Sequence, residues 1–155
     1  MRIHMLKREQ HLNITLDQAW EFFSSAKNLQ AITPKYMNFT ITNDPGKTIY
    51  TGQLITYKVR PLLSIPLTWV TEITQVENQS YFIDEQRFGP FKLWHHQHHF
   101  SETEDGVNMI DIIHYSLPFS FLGGMAHRLM VKKRLEEIFD YRYKTLEKEF
   151  NEKID

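Results

Sequence analysis

The chain contains no cysteine, which excludes disulfides and all thiolate chemistry. It also lacks any stretch rich enough in Lys or Arg to track a phosphate backbone. Its 18 basic residues face 19 acidic ones for a formal charge of -1, so nucleic acid is not an expected partner. No window approaches the roughly 18 apolar residues needed to cross a bilayer. The opening MRIHMLKREQ has no apolar core of signal-peptide length. The expectation is a soluble cytoplasmic protein. At 155 residues the chain suits one domain, 1–155, that buries about two thirds of its unfolded surface.

Four of the eight histidines fall in one segment, GPFKLWHHQHHF, from Gly89 to Phe100. Alternate side chains on a strand share a face, so Trp94, His96, His98 and Phe100 line one side and Leu93, His95, Gln97 and His99 the other. Two aromatic residues thus bracket two imidazoles. Neutral imidazole both donates and accepts hydrogen bonds, which suits it to an apolar pocket. The first face is read as a ligand site and the second as solvated.

The remaining punctuation gives the order of elements. Thr15 is an N-cap with Gln18 as its capping-box partner and Asp17 in the first turn. Ala19, Trp20, Phe22 and Phe23 then form one apolar face. A second short helix over 26–32 ends before Pro34. Strands are expected over 36–42 and 53–60, separated by a turn at Asn43-Asp44-Pro45-Gly46. Four more follow over 67–76, 81–88, 93–103 and 107–117. Asp105-Gly106 is a hairpin signal; as the centre of a tight turn it sets His98 opposite Ile113, His96 opposite Tyr115 and Phe100 opposite Asp111. Last comes a long helix over 125–150, with Leu129, Leu135, Ile138, Phe139, Leu146 and Phe150 at helical spacing. Segregated strands and helices make an α+β domain, a curved antiparallel sheet wrapped around the last helix.

A set of residues along this order carries a family likeness. They are Phe22-Phe23, Asn28-Leu29 and Thr33-Pro34; Gly52, Ile55 and Tyr57; Ile65-Pro66, Trp69 and Ile73; Asp84, Gln86 and Gly89-Pro90-Phe91; Trp94, His96, His98 and Phe100; Asp111, Tyr115 and Pro118; and Phe139, Tyr141 and Arg142. With them the chain resembles the START-like, helix-grip (Bet v 1-like) superfamily, which includes polyketide cyclases, plant pathogenesis-related proteins and lipid-transfer domains. Within it the chain is most similar to bacterial stand-alone SRPBCC ligand-binding proteins, some labelled cell division inhibitor. The resemblance implies a cavity between the concave sheet and the last helix, gated by loops.

Three roles stand open for His96 and His98. They are core histidines satisfied by Asp111, Tyr115 or backbone, or ligand contacts, or metal ligands. The last needs a third donor, for which Asp111 or Glu85 is available, but spacing fixes neither, so no metal and no cofactor is expected. Arg142, if it points inward, demands a carboxylate or phosphate; Arg60 is placed at the surface. The segment from Phe119 to Leu122 suits a lid or a transient membrane contact.

The expected function is binding of a small hydrophobic ligand, lipid-, polyketide- or aromatic-like. His96, His98, Asp111 and Tyr115 orient it against walls from Tyr57, Trp69, Trp94 and Phe100, with Ile113, Phe139 and Arg142 completing the site. The alternative is a cyclase or dehydratase-type enzyme using His96 or His98 as acid or base, with Tyr115 and Asp111 as helpers. A protein-interaction module without a small ligand is the third reading.

Overall fold

The computed structural model describes residues 2–60, 65–118 and 124–152, with the side chains of 124–128 outside the description. Seven strands form one antiparallel sheet: β1 (His4–Leu12), β2 (Thr40–Ile41), β3 (Leu54–Val59), β4 (Leu67–Glu77), β5 (Tyr81–Phe88), β6 (Leu93–Thr103) and β7 (Gly106–Ser116). Their order across the sheet is β1-β7-β6-β5-β4-β3-β2. Helices α1 (Leu16–Phe23) and α2 (Ala26–Ala31) follow β1, and α3 (Gly124–Leu146) follows β7. This is the expected α+β arrangement of a curved sheet and a long carboxy-terminal helix. Register shifts between Val70 and Thr71 and between Ile73 and Gln75 interrupt the β4–β5 ladder, and such bulges bend a sheet.

Local chemistry explains the boundaries. Thr15 and Gln18 form a reciprocal capping box at the start of α1, and the Asn28 side chain donates to the Phe22 carbonyl at 2.9 Å, fixing the corner between α1 and α2. Between β5 and β6 the Gln86 amide bridges both backbone groups of Phe91, which braces the Gly89-Pro90 reversal.

Three expectations require correction. The strand over 36–42 is mostly absent: a 3-10 turn occupies Lys35–Met37, Asn38 adopts a left-handed conformation with φ 44°, and only Thr40–Ile41 joins the sheet. A residue with positive φ reverses the chain and ends extension on its amino-terminal side. The β6–β7 hairpin turns one residue earlier than its Asp-Gly signal suggests, on Glu104-Asp105, pairing Thr103 with Gly106 and His98 with Asp111. Gly106 is needed elsewhere: a Cβ there would lie 2.1 Å from the Leu12 carbonyl oxygen of β1. In α3, Leu129 is 63% exposed. It sits about 200° around the helix from Val131, which with Leu135, Phe139 and Leu146 is buried. The helix proper ends at Leu146, and a π-turn carries Glu147–Asn151.

The buried apolar residues form three separate clusters. One joins Trp20 and Leu146 to Phe82, Phe100, Val107 and Met109, a second joins Phe39 and Tyr57 to Trp69 and Ile73, and a third sets Ile113 and Tyr115 against Val131, Leu135 and Phe139. A domain of this size ordinarily has one contiguous core. Here the middle is hollow.

Candidate functional site

The hollow is a cavity of about 300 Å³, with walls drawn from all three clusters and from α1, α2 and α3. Most of the wall is apolar. Tyr57 stacks on Trp69 with ring centroids 5.9 Å apart, and Trp94 meets Trp69 edge-on at 5.3 Å. Thr71 accepts or donates a 2.8 Å hydrogen bond with the Tyr57 hydroxyl. Beside scattered polar side chains, Ser25, Asn28, Thr33, Thr71 and Arg134, the wall carries one compact ionisable group: Asp84, His96, His98 and Arg142.

Three neighbouring strands bring that group together. Asp84 on β5 is directly opposite His96 on β6, and His98, two residues on, is directly opposite Asp111 on β7. Strand alternation puts all four side chains on the concave face. His96 Nε2 donates to Asp111 Oδ1 at 3.0 Å and His98 Nε2 donates to Asp84 Oδ2 at 2.9 Å. The remaining nitrogens are also near carboxylates, His96 Nδ1 at 3.3 Å from Asp84 Oδ2 and His98 Nδ1 at 2.9 Å from Asp111 Oδ1. The last contact lacks hydrogen-bond angles. Arg142 reaches in from α3, its Nη1 donating to Asp111 Oδ2 at 3.2 Å. Rings seal the group: Phe82 stacks on His98 at 4.1 Å and Phe139 meets His96 edge-on at 5.7 Å.

For Asp84, Asp111, His96 and Tyr57 burial is the largest influence and disfavours the charged form. For Asp84 it is outweighed by the charge of His96 and by hydrogen bonds from both imidazoles, so the carboxyl is held below its ordinary range. For Asp111 the Arg142 charge, then the His96 bond and the adjacent His98 imidazole, outweigh it and hold the carboxyl well below that range. His96 is raised despite burial, because Asp84 and Asp111 both favour its imidazolium. Tyr57 is pushed up by burial and by the Asp84 charge, the Thr71 bond opposing, so it remains a neutral phenol.

The sequence-predicted site residues divide into two groups. Tyr57, Trp69, Trp94, His96, His98, Phe139 and Arg142 line the cavity. Phe100, Asp111, Ile113 and Tyr115 do not. Phe100 packs under Trp20 in the first cluster, Ile113 is fully enclosed by the third, Tyr115 packs against Phe91 and His4, and Asp111 lies behind the histidines. On the opposite face His95 and His99 are half-buried rather than fully solvated, with His95 bonded to Glu85 at 2.8 Å. Glu85 is therefore not a partner of the inner pair, whereas Asp84, which the residue pattern alone did not mark as a site residue, contacts both inner imidazoles. Arg60 is exposed, as expected. The segment from Phe119 to Leu122, read as a lid or membrane contact, lies outside the described residues. Among the described residues no helix is long and apolar enough to cross a membrane.

Comparison with solved structures adds to this geometry. The Zhui aromatase/cyclase from Streptomyces sp. R1128 superposes with a TM-score of 0.76 at 11% identity, over 96% of this chain and 93% of its own. Ara h 8.0201 matches with a TM-score of 0.60 at 12% identity, over 94% and 98%. The fold is the helix-grip fold. A protein from Thermus thermophilus shares it with a TM-score of 0.68 at 15% identity, over 94% and 95%. No family model matches the chain, and no curated protein matches it. At such low identities the likeness is one of fold alone, and it brings no support to the cell-division label.

Proposed function

We propose that this helix-grip protein binds a small, largely apolar molecule that carries one polar end, with the apolar body among Tyr57, Trp69, Trp94 and Phe139 and the polar end at Asp84, His96, His98 and Arg142. One observation carries the reading: a mostly apolar cavity has one wall where four ionisable side chains, Asp84, His96, His98 and Arg142, that are costly to bury come together. Such a wall selects for orientation as well as for greasiness. The hollow itself argues for contents. On the scale of roughly 24 cal/mol per Å³ for cavities left in truncated cores, an empty 300 Å³ costs on the order of 7 kcal/mol, comparable with a whole domain's stability.

Acid–base catalysis is the second reading. It is favoured by the two imidazoles on the cavity wall, each hydrogen-bonded to a carboxylate, an arrangement that can hold and pass a proton. Tyr115, the hydroxyl donor expected from sequence, does not line the cavity; Tyr57 does, and takes its place in this reading.

The two ends of the ligand can be tested separately. Displacement of an apolar fluorescent probe by 2-naphthoic acid, 2-naphthol and naphthalene should show all three competing, the polar-ended pair at least ten-fold more tightly. In His98→Phe that advantage should disappear while naphthalene still competes. Failure of all three to compete, or equal potency of naphthalene in the wild type, would refute the orientation argument.

A further inference from the structure

We propose that Asp84, His96 and His98 form a binding site for a divalent first-row transition ion of the zinc or ferrous class, with Asp111 orienting both imidazoles from behind and the cavity supplying the open coordination position. Sequence spacing fixed no third donor beside the His-x-His pair, leaving Asp111 and Glu85 as candidates. The fold supplies one in Asp84, which removes the ground for expecting no metal.

The donors converge from two strands. Asp84 Oδ2 is 2.9 Å from His98 Nε2 and 3.3 Å from His96 Nδ1, and the three donor atoms lie within 4.8 Å of one another. Metal bonds of about 2.0–2.1 Å give neighbouring ligands roughly 2.9 Å apart in an octahedral shell and 3.3 Å apart in a tetrahedral one. Reorientation of the imidazoles, drawing the widest donor pair inward by up to about 1.5 Å, closes the set. Two histidines and one carboxylate leave positions free for an exogenous ligand, as catalytic zinc and non-haem iron sites do.

The groups behind the donors fit the same role. Metal-bound imidazole usually donates its second nitrogen to a carboxylate, which fixes the tautomer and strengthens the ligand. Here the nitrogens facing away from Asp84, His96 Nε2 and His98 Nδ1, lie 3.0 and 2.9 Å from one oxygen, Asp111 Oδ1. Asp111 is in turn held by Arg142 through its other oxygen. On binding, both imidazoles are neutral with the proton on the nitrogen facing Asp111: His96 releases any proton on Nδ1, and His98 loses the proton on Nε2 and takes one up on Nδ1. The ion, two carboxylates and Arg142 then sum to +1, so the open position favours an anion: hydroxide, or the carboxylate or enolate end of a cavity ligand. The site does not depend on the ligand reading above, since the ion could bind in an otherwise empty cavity.

The test uses the full chain, purified without a histidine tag and stripped with chelator, titrated with Co²⁺ by its visible d–d absorption and with Zn²⁺ by competition against a chromophoric chelator. One equivalent should bind at micromolar metal. Asp84→Asn and His98→Ala should each weaken binding at least ten-fold, and Asp111→Asn on the order of 10- to 100-fold, as loss of a supporting carboxylate does. His95→Ala, on the outer face, should leave it unchanged. No saturable binding below millimolar metal, or affinity indifferent to Asp84→Asn and His98→Ala, overturns the proposal. If those variants fail to fold by circular dichroism, X-ray absorption of the zinc-loaded wild type decides: two imidazoles in the shell uphold it, and fewer overturn it.

Discussion

Replacing Arg142 with methionine removes the guanidinium that pairs with the buried Asp111 carboxylate. Methionine matches arginine in helix propensity and keeps an apolar stem in the wall, so the change isolates the charge. Removing one partner of a buried pair costs about 3–5 kcal/mol, because the other charge is stranded. Two imidazoles remain against the same carboxylate, which places Arg142→Met near the lower end, at about 3 kcal/mol. Loss of the guanidinium over the Phe139 ring, 4.8 Å from its centroid, adds roughly 0.5–1 kcal/mol. For a domain of this length 1 kcal/mol shifts the melting temperature by about 2–4 °C, so the ion-pair loss alone should lower it by about 6–12 °C. Urea denaturation followed by tryptophan fluorescence, with chelator present, measures the same loss directly. The double variant Asp111→Asn/Arg142→Met should recover about 2 kcal/mol of it, since an amide needs no counter-charge. A single variant melting within 2 °C of wild type, or a double variant no better than the sum of the singles, would refute the electrostatic account.

Other substitutions probe separate parts of the structure. Ile55→Trp, on the cavity wall, should abolish apolar-probe binding with little change in melting temperature. Ile113→Trp, fully enclosed and off that wall, should lose about 1–3 kcal/mol through overpacking yet leave probe affinity intact; the reverse pattern would move the cavity. Gly106→Ala places a methyl 2.1 Å from the Leu12 carbonyl, and a cost below about 1 kcal/mol by urea denaturation would contradict that close approach. Thr15→Ala removes the cap of α1 and should cost about 1 kcal/mol, with no effect on probe binding.

What the sequence made legible follows from how local each signal is. Trp94, His96, His98 and Phe100 share a face because one strand has one period, and no partner strand is needed to know it. Which of them meets the cavity is not local: Phe100 lies beyond its edge because Trp20 of α1 packs there. Asp84 escaped notice as a site residue because its side depends on the β5–β6 pairing, which spans a long reversal braced by Gln86 on Phe91. The pattern of β1 is mixed because its inner face carries polar Arg8 and Gln10 between Leu6 and Leu12. Arg8 and Gln10 on that face meet Asp140 and Glu147 of the carboxy-terminal helical segment, and they interrupt the alternation that Leu6 and Leu12 would otherwise show. The hairpin was displaced by one residue because Gly106 serves the approach of β1 rather than the turn. That shift moved every cross-strand partner by two and preserved parity, so the inward face survived while the pairing did not.

The central claim is that the cavity holds a molecule. Native mass spectrometry of the protein purified from its own host, compared with the same sample denatured and extracted, tests it most directly. The account predicts a small organic species with a polar end, bound one to one, released on denaturation and lost in Ile55→Trp. A bare polypeptide mass under native conditions, together with no apolar-probe binding in solution, would contradict it.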